Sequence, residues 1–593
     1  MTASRGMKRA RLGATVRGLL VAATAVAALA GCSGEKAATS LNAPPVDGGG
    51  PYDLLITGGR VVDGTGAPWY YADVGVRGGR IVAIGKLAGS ATKETIDARG
   101  KVVSPGFIDL HTHSDLSLIK DGRGMSKITQ GVTTEVLGEG ASVAPRRMDA
   151  KDGSWGVQPD WTTFDGYFAR LEKQGISGNV VSYVSPGQLR TYVMGEGAMR
   201  RPSPEEMEQM KKLLAQAMEE GAVGMSDSLD APGMYQYGPG GEISPNKSSP
   251  EELIEFGKVI APYGGMYGVH LRDQGPFVEE AVAEAARIGR EAGIRVQIFH
   301  LKASGWQNWG KMEKILAAIK KARAEGVDIS AQTYPYTAAS HGLKTELPRW
   351  THEGGTEAML KRLKDGELRP GIMKETTRYM EGKYKVEATG EVGYAAAMVS
   401  NVPVHPEKYV GKSFTQIAKE AGKPADASTL DLFIEQGGDV SIVMHYMAES
   451  DLRRAMLDPM VAFDSDGTAV TPDFGGNPHP RYYGTFPRIL GHYVREEKLL
   501  TLEEAIRKMT SLAADRMGLL DRGMLRPGMA ADIVVFDPDT IIDKATFADS
   551  HHYSVGISEV VVNGTIVIRA GEHTGALPGK ALRGPGYKLK TTS

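Results

Sequence analysis

The chain has 593 residues, a formal net charge of -2 at pH 7, 75 glycines and one cysteine. That length suits more than one domain, and the balanced charge offers no basic excess to neutralise phosphates, so nucleic acid is not an expected partner. A lone cysteine excludes both an internal disulfide and a thiolate zinc cluster.

The amino end carries Arg5, Lys8, Arg9, Arg11 and Arg17 and then an apolar run from Leu19 to Ala30. A basic stretch before about a dozen apolar residues is the pattern of a secretory signal, and the run is too short to span a bilayer comfortably. It ends in Leu29-Ala30-Gly31-Cys32, which resembles the processing box of bacterial lipoproteins, with the only cysteine where lipid is attached. The expectation is a signal peptide over 1–31, a lipidated Cys32 and a flexible Gly/Ala/Pro/Asn-rich tether over 32–50. The protein would then be held at the membrane of the bacterial cell envelope, facing the periplasm or the surface. A cleaved signal with an incidental cysteine is the alternative.

From Tyr52, short apolar segments alternate with Gly58-Gly59, Gly64-Thr65-Gly66 and Gly78-Gly79, which predicts a small β domain over 51–103. A like pattern returns in Ala531–Phe536 and Val560–Val567, so 520–593 is expected to complete that domain and carry the tail. Between them, apolar strands alternate with helical patterns. Ser203, Pro204 and Glu206 cap a helix reaching Glu220. Helices over Pro250–Tyr263, Phe277–Ala292 and Met312–Glu325 each lead into a short apolar run. Repeated βα units over 104–519 suit a closed parallel barrel, whose chemistry sits at the carboxyl ends of its strands.

His111 and His113 end one such run, His270 and His300 two others. On a strand, alternate side chains share a face, so the His-x-His pair can point at one metal ion. A hydrogen-bonded polar residue is the bland reading of any one of these histidines taken singly.

Together these residues resemble the amidohydrolase superfamily, and within it the N-acyl-D-amino-acid deacylases (D-aminoacylases). The resemblance is carried by Pro105-Gly106-Phe107-Ile108-Asp109 with the two histidines, Gly131-Val132-Thr133-Thr134, Tyr267 to Asp273 and Val296 to Ala303. Tyr334-Pro335-Tyr336, Ser465-Asp466-Gly467, His479-Pro480-Arg481 and Leu525 to Val534 extend it. It implies a metal-dependent (β/α)8 TIM-like barrel with a small β-sandwich domain built from both chain ends. His111 and His113 would hold one metal position with Asp466, and His270 and His300 the other, with one or two Zn2+ per chain.

Two departures stand out. The deacylases similar to this chain place a cysteine ligand after the strand that begins at Gly131, where this chain reads Thr134 to Ser142 without one. Glu139 falls beside the missing position, and its two oxygens can bridge two metals, so it is assigned that role; a solvated loop residue is the rival reading. Glu135 sits inside the apolar run and suits the role less. The second departure is Val184-Ser185-Pro186-Gly187, where relatives often carry Gly-His-Gly.

By the same resemblance, Lys302, Tyr334, Ser340 and Arg481 would hold a substrate carboxylate, with Arg481 in a 468–488 loop over the site. Trp306, Trp309 and Trp350 stand either as acyl-pocket walls or as packing, and His445 as a residue behind the ligands. The activity implied is hydrolysis of the amide bond of N-acyl-amino acids, D-configured ones favoured, to a carboxylic acid and a free amino acid. Metal-activated water attacks, with Asp466 as general base and then acid. The rivals are a dipeptidase or cyclic-amide hydrolase on this scaffold, and a noncatalytic envelope binding lipoprotein. Oligomeric state is left open.

Overall fold

A computed structural model describes residues 50–148, 154–195, 200–229 and 248–588. The signal segment, Cys32 and the 32–50 tether lie outside the described residues apart from Gly50.

Eight short parallel strands form the centre: β1 (Phe107–Asp109), β2 (Val132–Leu137), β3 (Asn179–Ser182), β4 (Gly224–Ser228), β5 (Met266–His270), β6 (Arg295–Ile298), β7 (Ile329–Thr333) and β8 (Val461–Phe463). Parallel ladders join β1 to β3 and, separately, β4 to β8. Two narrow junctions close the ring. Val184 bridges to Met225 between β3 and β4, and Thr112 to Gly467 between β8 and β1. The strands are buried on both faces, as a barrel wrapped in helices requires.

The outer helices obey their local signals. Ser203 forms the full capping box expected at the start of α1 (Pro204–Glu219), and Ser249 caps α2 (Pro250–Ile260). Each such cap contributes about 1 kcal/mol. Along α3 (Val278–Ala292), Val278, Ala281, Val282, Ala285 and Ile288 form one buried stripe, and α4 (Met312–Ala324) buries Met312, Ile315, Leu316 and Ile319 likewise.

The two chain ends build one nine-stranded sheet, in which Val102–Pro105 pairs with both Leu54–Val61 and Ile533–Phe536. Alternation sorts its side chains. Ile533 and Val535 face a core with Leu54, Ile56 and Val74, whereas Val534 and Phe536 pack with Phe107, Val132 and Phe463 at the base of the barrel. Beyond the sheet the tail returns to the barrel: Val180 N donates to Lys580 O (2.9 Å), Leu582 N to Val180 O (2.8 Å) and Gly584 N to Gly221 O (2.9 Å).

Two features depart from the sequence reading. The chain between β7 and β8 folds as a subdomain with its own core around Leu343, Tyr384, Phe433 and Ile442, containing a three-stranded antiparallel sheet of Ala338–Gly342, Ser441–His445 and Ala397–Asn401. The 468–488 segment is less of a loop than expected. It makes a 3-10 turn at Pro472–Phe474 and then α5 (Arg481–Arg488). Its Gly, Pro and aromatic content reads as loop, but Tyr483 and Phe486 are fully buried and drive the helix onto the core.

Candidate metal centre

At the carboxyl ends of β1, β2, β5, β6 and β8, six side chains converge. The turn after β2 presents Glu139. It is shaped by Gly138, whose φ is +100° and where a Cβ would lie 2.4 Å from the Tyr183 carbonyl. Ser185 Oγ, capping the helix Pro186–Met194, donates to Gly140 O (2.7 Å) and braces the same turn. The segment that departs from Gly-His-Gly therefore supports the residue that departs from cysteine.

The Glu139 side chain is only 5% exposed, and its two oxygens face different histidine pairs. Oε2 lies 2.6 Å from His111 Nε2 and 3.3 Å from His113 Nε2; Oε1 lies 3.0 Å from His270 Nδ1 and 3.8 Å from His300 Nε2. Asp466 Oδ1 sits 3.1 Å from His113 Nε2 and 4.0 Å from His111 Nε2. All six residues proposed from sequence as ligands are thus brought together around Glu139, with His111 and His113 near its Oε2 and His270 and His300 near its Oε1.

The donor set fits a divalent ion. One ligand atom from each of His111, Glu139, His300 and Asp466 lies within 4.8 Å of the others. Ligands about 2.0–2.2 Å from a tetrahedral zinc stand roughly 3.3–3.6 Å apart, inside the range of these contacts. Charge argues the same way. Burial opposes charge on Glu139, yet His111 and the other imidazoles hold its pKa well below the usual range. Burial also opposes charge on His111, but Glu139 and Asp466 outweigh it and raise the pKa to about 10. Two buried carboxylates demand positive charge here, which a cation supplies.

Asp464, Gln274 and Phe299 also belong to the site. Asp464 Oδ2 lies 3.7 Å from His111 Nδ1 and accepts from His300 N (3.3 Å); Gln274 Nε2 lies 3.2 Å from His300 Nδ1; Phe299 stacks on His111 at 4.6 Å. Such partners fix ligand orientation. Sequence reasoning missed all three: Asp464 directly precedes the quoted Ser465-Asp466-Gly467, which is the one signal that could have found it, and Gln274 and Phe299 carry no sequence signal of this role. His300 and Asp466 both adopt positive φ, +33° and +46°, backbone strain of the kind that tertiary contacts must hold in place at a functional site. Glu135 points elsewhere, accepting from Ser114 Oγ (2.5 Å).

Beside the ligands, the Tyr334 ring has the Lys302 ammonium at 5.3 Å and the Arg481 guanidinium at 4.8 Å from its centroid. Burial brings the Lys302 pKa down to about 8, with Asp466 pulling it up and Arg481 pushing it down. Arg481 Nη1 is 2.9 Å from Asp466 Oδ2, so it touches the proposed general base as well as the cradle. Lys302 is a buried residue, and the Tyr334 hydroxyl is buried with no hydrogen-bond partner among the described residues. Ser340 is half-buried on Ala338–Gly342, and among the described residues no hydrogen bond joins it to the other three. Trp306 and Trp309 donate to the carbonyls of Glu381 and Tyr446 (3.0 Å each) and flank Lys385, as packing residues do; Trp350 is largely exposed. His445 meets Phe547 edge-on, with ring centroids 4.7 Å apart.

The model of the Amidohydrolase family matches residues 94–237 and 424–568. The N-acyl-D-glutamate deacylase of Alcaligenes xylosoxydans xylosoxydans is 35% identical over 520 residues, covering 87% of this chain and 93% of that one. The D-aminoacylase of the same organism is 34% identical over 542 residues, covering 90% and 98%. The crystal structure of N-acyl-D-glutamate deacylase from Bordetella bronchiseptica, complexed with zinc and a phosphonate mimic of the reaction's tetrahedral intermediate, superposes with a TM-score of 0.74 at 32% identity, covering 90% of this chain and all of that one. On fold, site and kinship alike, the chain belongs to the amidohydrolase family, in its D-aminoacylase branch.

Proposed function

We propose that the protein hydrolyses the amide bond of N-acyl-D-amino acids, releasing a carboxylic acid and a free amino acid, and that Glu139 would hold zinc together with the four histidines and Asp466. The observation that carries the substrate reading is the Lys302 ammonium set over the ring of Tyr334, whose hydroxyl is buried without a hydrogen-bond partner among the described residues. A buried hydroxyl without a partner is costly, and an α-carboxylate next to the scissile amide accepts from that hydroxyl and pairs with the ammonium at once. That kinship runs to deacylases of D-amino acids supports the stereochemistry.

His111, His113 and Asp466 would hold one ion, and His270 and His300 the other. Bound there, a divalent cation acidifies water and polarises the scissile carbonyl. Asp466 accepts the proton of the attacking water and delivers it to the departing amine nitrogen. Arg481, at 2.9 Å, keeps its carboxylate ionised until that step; burial works against charge on Asp466, but Arg481 and the imidazoles hold its pKa well below the usual range. Lys302 and Tyr334 fix the substrate carboxylate, and Ser340 would join them in the loaded site.

The signal sequence and Cys32 support a lipoprotein of the cell envelope. Loss of lipid labelling and of membrane sedimentation in Cys32→Ala tests that placement. The function is tested by assaying the signal-deleted protein, with its metal content measured, on N-acetyl-D- and N-acetyl-L-amino acids, dipeptides and cyclic amides. D-selective release of free amino acid supports the reading; turnover confined to dipeptides or cyclic amides overturns it.

A further inference from the structure

Strands β1 and β8 deliver His111, His113 and Asp466, yet among the described residues no ladder joins them; past their ends Asp466 N donates to His111 O (3.0 Å) and His113 N to Gly467 O (3.0 Å), around a single bridge between Thr112 and Gly467. A buried polar clamp fills the seam. Asp109 Oδ1 accepts from Ser465 N (2.8 Å), and Oδ2 accepts from Ser465 Oγ (2.5 Å) and Lys127 Nζ (3.0 Å). Lys127 Nζ also donates to Ser465 Oγ, which in turn accepts from Gly467 N (3.1 Å). Lys127 is 1% exposed, and Asp109 and Ser465 are fully buried.

The turn bearing Lys127 is stitched to the same side of the barrel by its neighbours. Ser126 N donates to Val470 O (3.2 Å), and Ser126 Oγ accepts from Val470 N (3.0 Å). Gln130 Nε2 donates to Tyr482 O (2.9 Å), and its Oε1 accepts from Phe486 N (3.3 Å). These contacts fall on the segment following Asp466 and on α5, which begins at Arg481. Asp466 itself sits at φ +46°, a conformation that persists only where its surroundings enforce it.

We infer that Lys127 is a positioning residue, whose clamp on Asp109 and Ser465 holds Asp466 and His111 in place across the β1–β8 seam. The inference rests on the reading of those two residues as ligands. Neither Lys127 nor Ser465 belongs to the proposed ligands or to the carboxylate cradle; both act through Asp466.

The test compares metal retention of zinc-loaded wild type, Ser465→Ala and Lys127→Met during titration with a chelator, alongside Tm of the metal-free proteins and separate kcat and KM. The expected result is half-loss of metal at about tenfold lower chelator concentration, the size of effect seen when groups behind a ligand are removed. In parallel kcat falls about as much, with KM changed less than twofold. Should Lys127→Met not fold, Asp109→Asn/Lys127→Met removes both buried charges and carries the same test. Wild-type metal retention and kcat in a folded variant, with only Tm lowered, overturns the inference. The chelator reading needs no substrate. A wild type that retains metal but hydrolyses no N-acyl-D-amino acid therefore defeats the proposed function alone, and one that retains no metal defeats both.

Discussion

Replacing Glu139 tests the centre at its most informative point, because each of its oxygens faces one histidine pair. Deleting the side chain in Glu139→Ala removes a contact to all four imidazoles, at 2.6, 3.3, 3.0 and 3.8 Å. Removing a group behind a ligand costs ten- to a hundredfold in affinity or activity, about 1.4–2.7 kcal/mol. A ligand shared by both positions exceeds that, so kcat/KM should fall by more than about a hundredfold. Metal content, measured by mass spectrometry after dialysis, should drop from near two ions per chain to one or fewer. Glu139→Gln separates charge from shape: it keeps the volume but loses the anion, and should lose metal nearly as far. A Glu139→Ala protein with two ions per chain and kcat/KM within twofold of wild type would refute the bridge and leave Glu139 a buried acceptor only.

Lys302→Ala should raise KM by about ten- to a hundredfold with a smaller change in kcat, matching the loss of a hydrogen bond to a charged group worth about 1.5–3 kcal/mol; steady-state kinetics on the best N-acyl substrate decides it. Asp466→Asn should lower kcat by about 10²–10⁴-fold at saturating metal, as expected for a lost general base. The third expectation concerns stability in acid. Burial opposes charge on Glu346, but Lys383 and His341 prevail and hold its pKa at about 2 against an ordinary 4.5. A depressed carboxylate stabilises above its unfolded pKa, so about 3 kcal/mol is present above pH 4.5 and lost as pH falls from 4.5 toward 2. Denaturant titration should show Glu346→Gln less stable at pH 7, with the gap to wild type closing across that window.

The parts of the barrel that show in the sequence are those where a local signal and the tertiary structure agree. Ser203 and Glu206 cap a helix by themselves, and His111 and His113 alternate because a strand alternates. Glu139 was reached by a gap in a pattern, the absent cysteine, together with the valence of a carboxylate. The subdomain between β7 and β8 was not legible. Its sheet pairs Ala338–Gly342 with Ser441–His445 across about a hundred residues, and no local periodicity reports such a contact. Lys127 was missed for a similar reason. Within Met125–Ile128 it reads as a solvated lysine, and only the approach of Asp109 and Ser465 from two other segments makes it a buried one.

The exchange of thiolate for carboxylate changes more than one ligand. A single sulfur can hold one ion tightly while the second position stays weak, whereas Glu139 divides its oxygens between two histidine pairs. Asp466 adds a second carboxylate, 3.1 Å from His113 and 4.0 Å from His111. The His270–His300 pair meets the Oε1 oxygen of Glu139 at 3.0 and 3.8 Å. Harder oxygen ligands also favour zinc less strongly over manganese or cobalt than a thiolate does. Metal reconstitution should accordingly show two ions binding over a narrow concentration range, and Glu139→Cys should split that range by strengthening one position while weakening the other. Equal, unsplit binding in Glu139→Cys would mean that the two positions draw their affinity from the histidines alone.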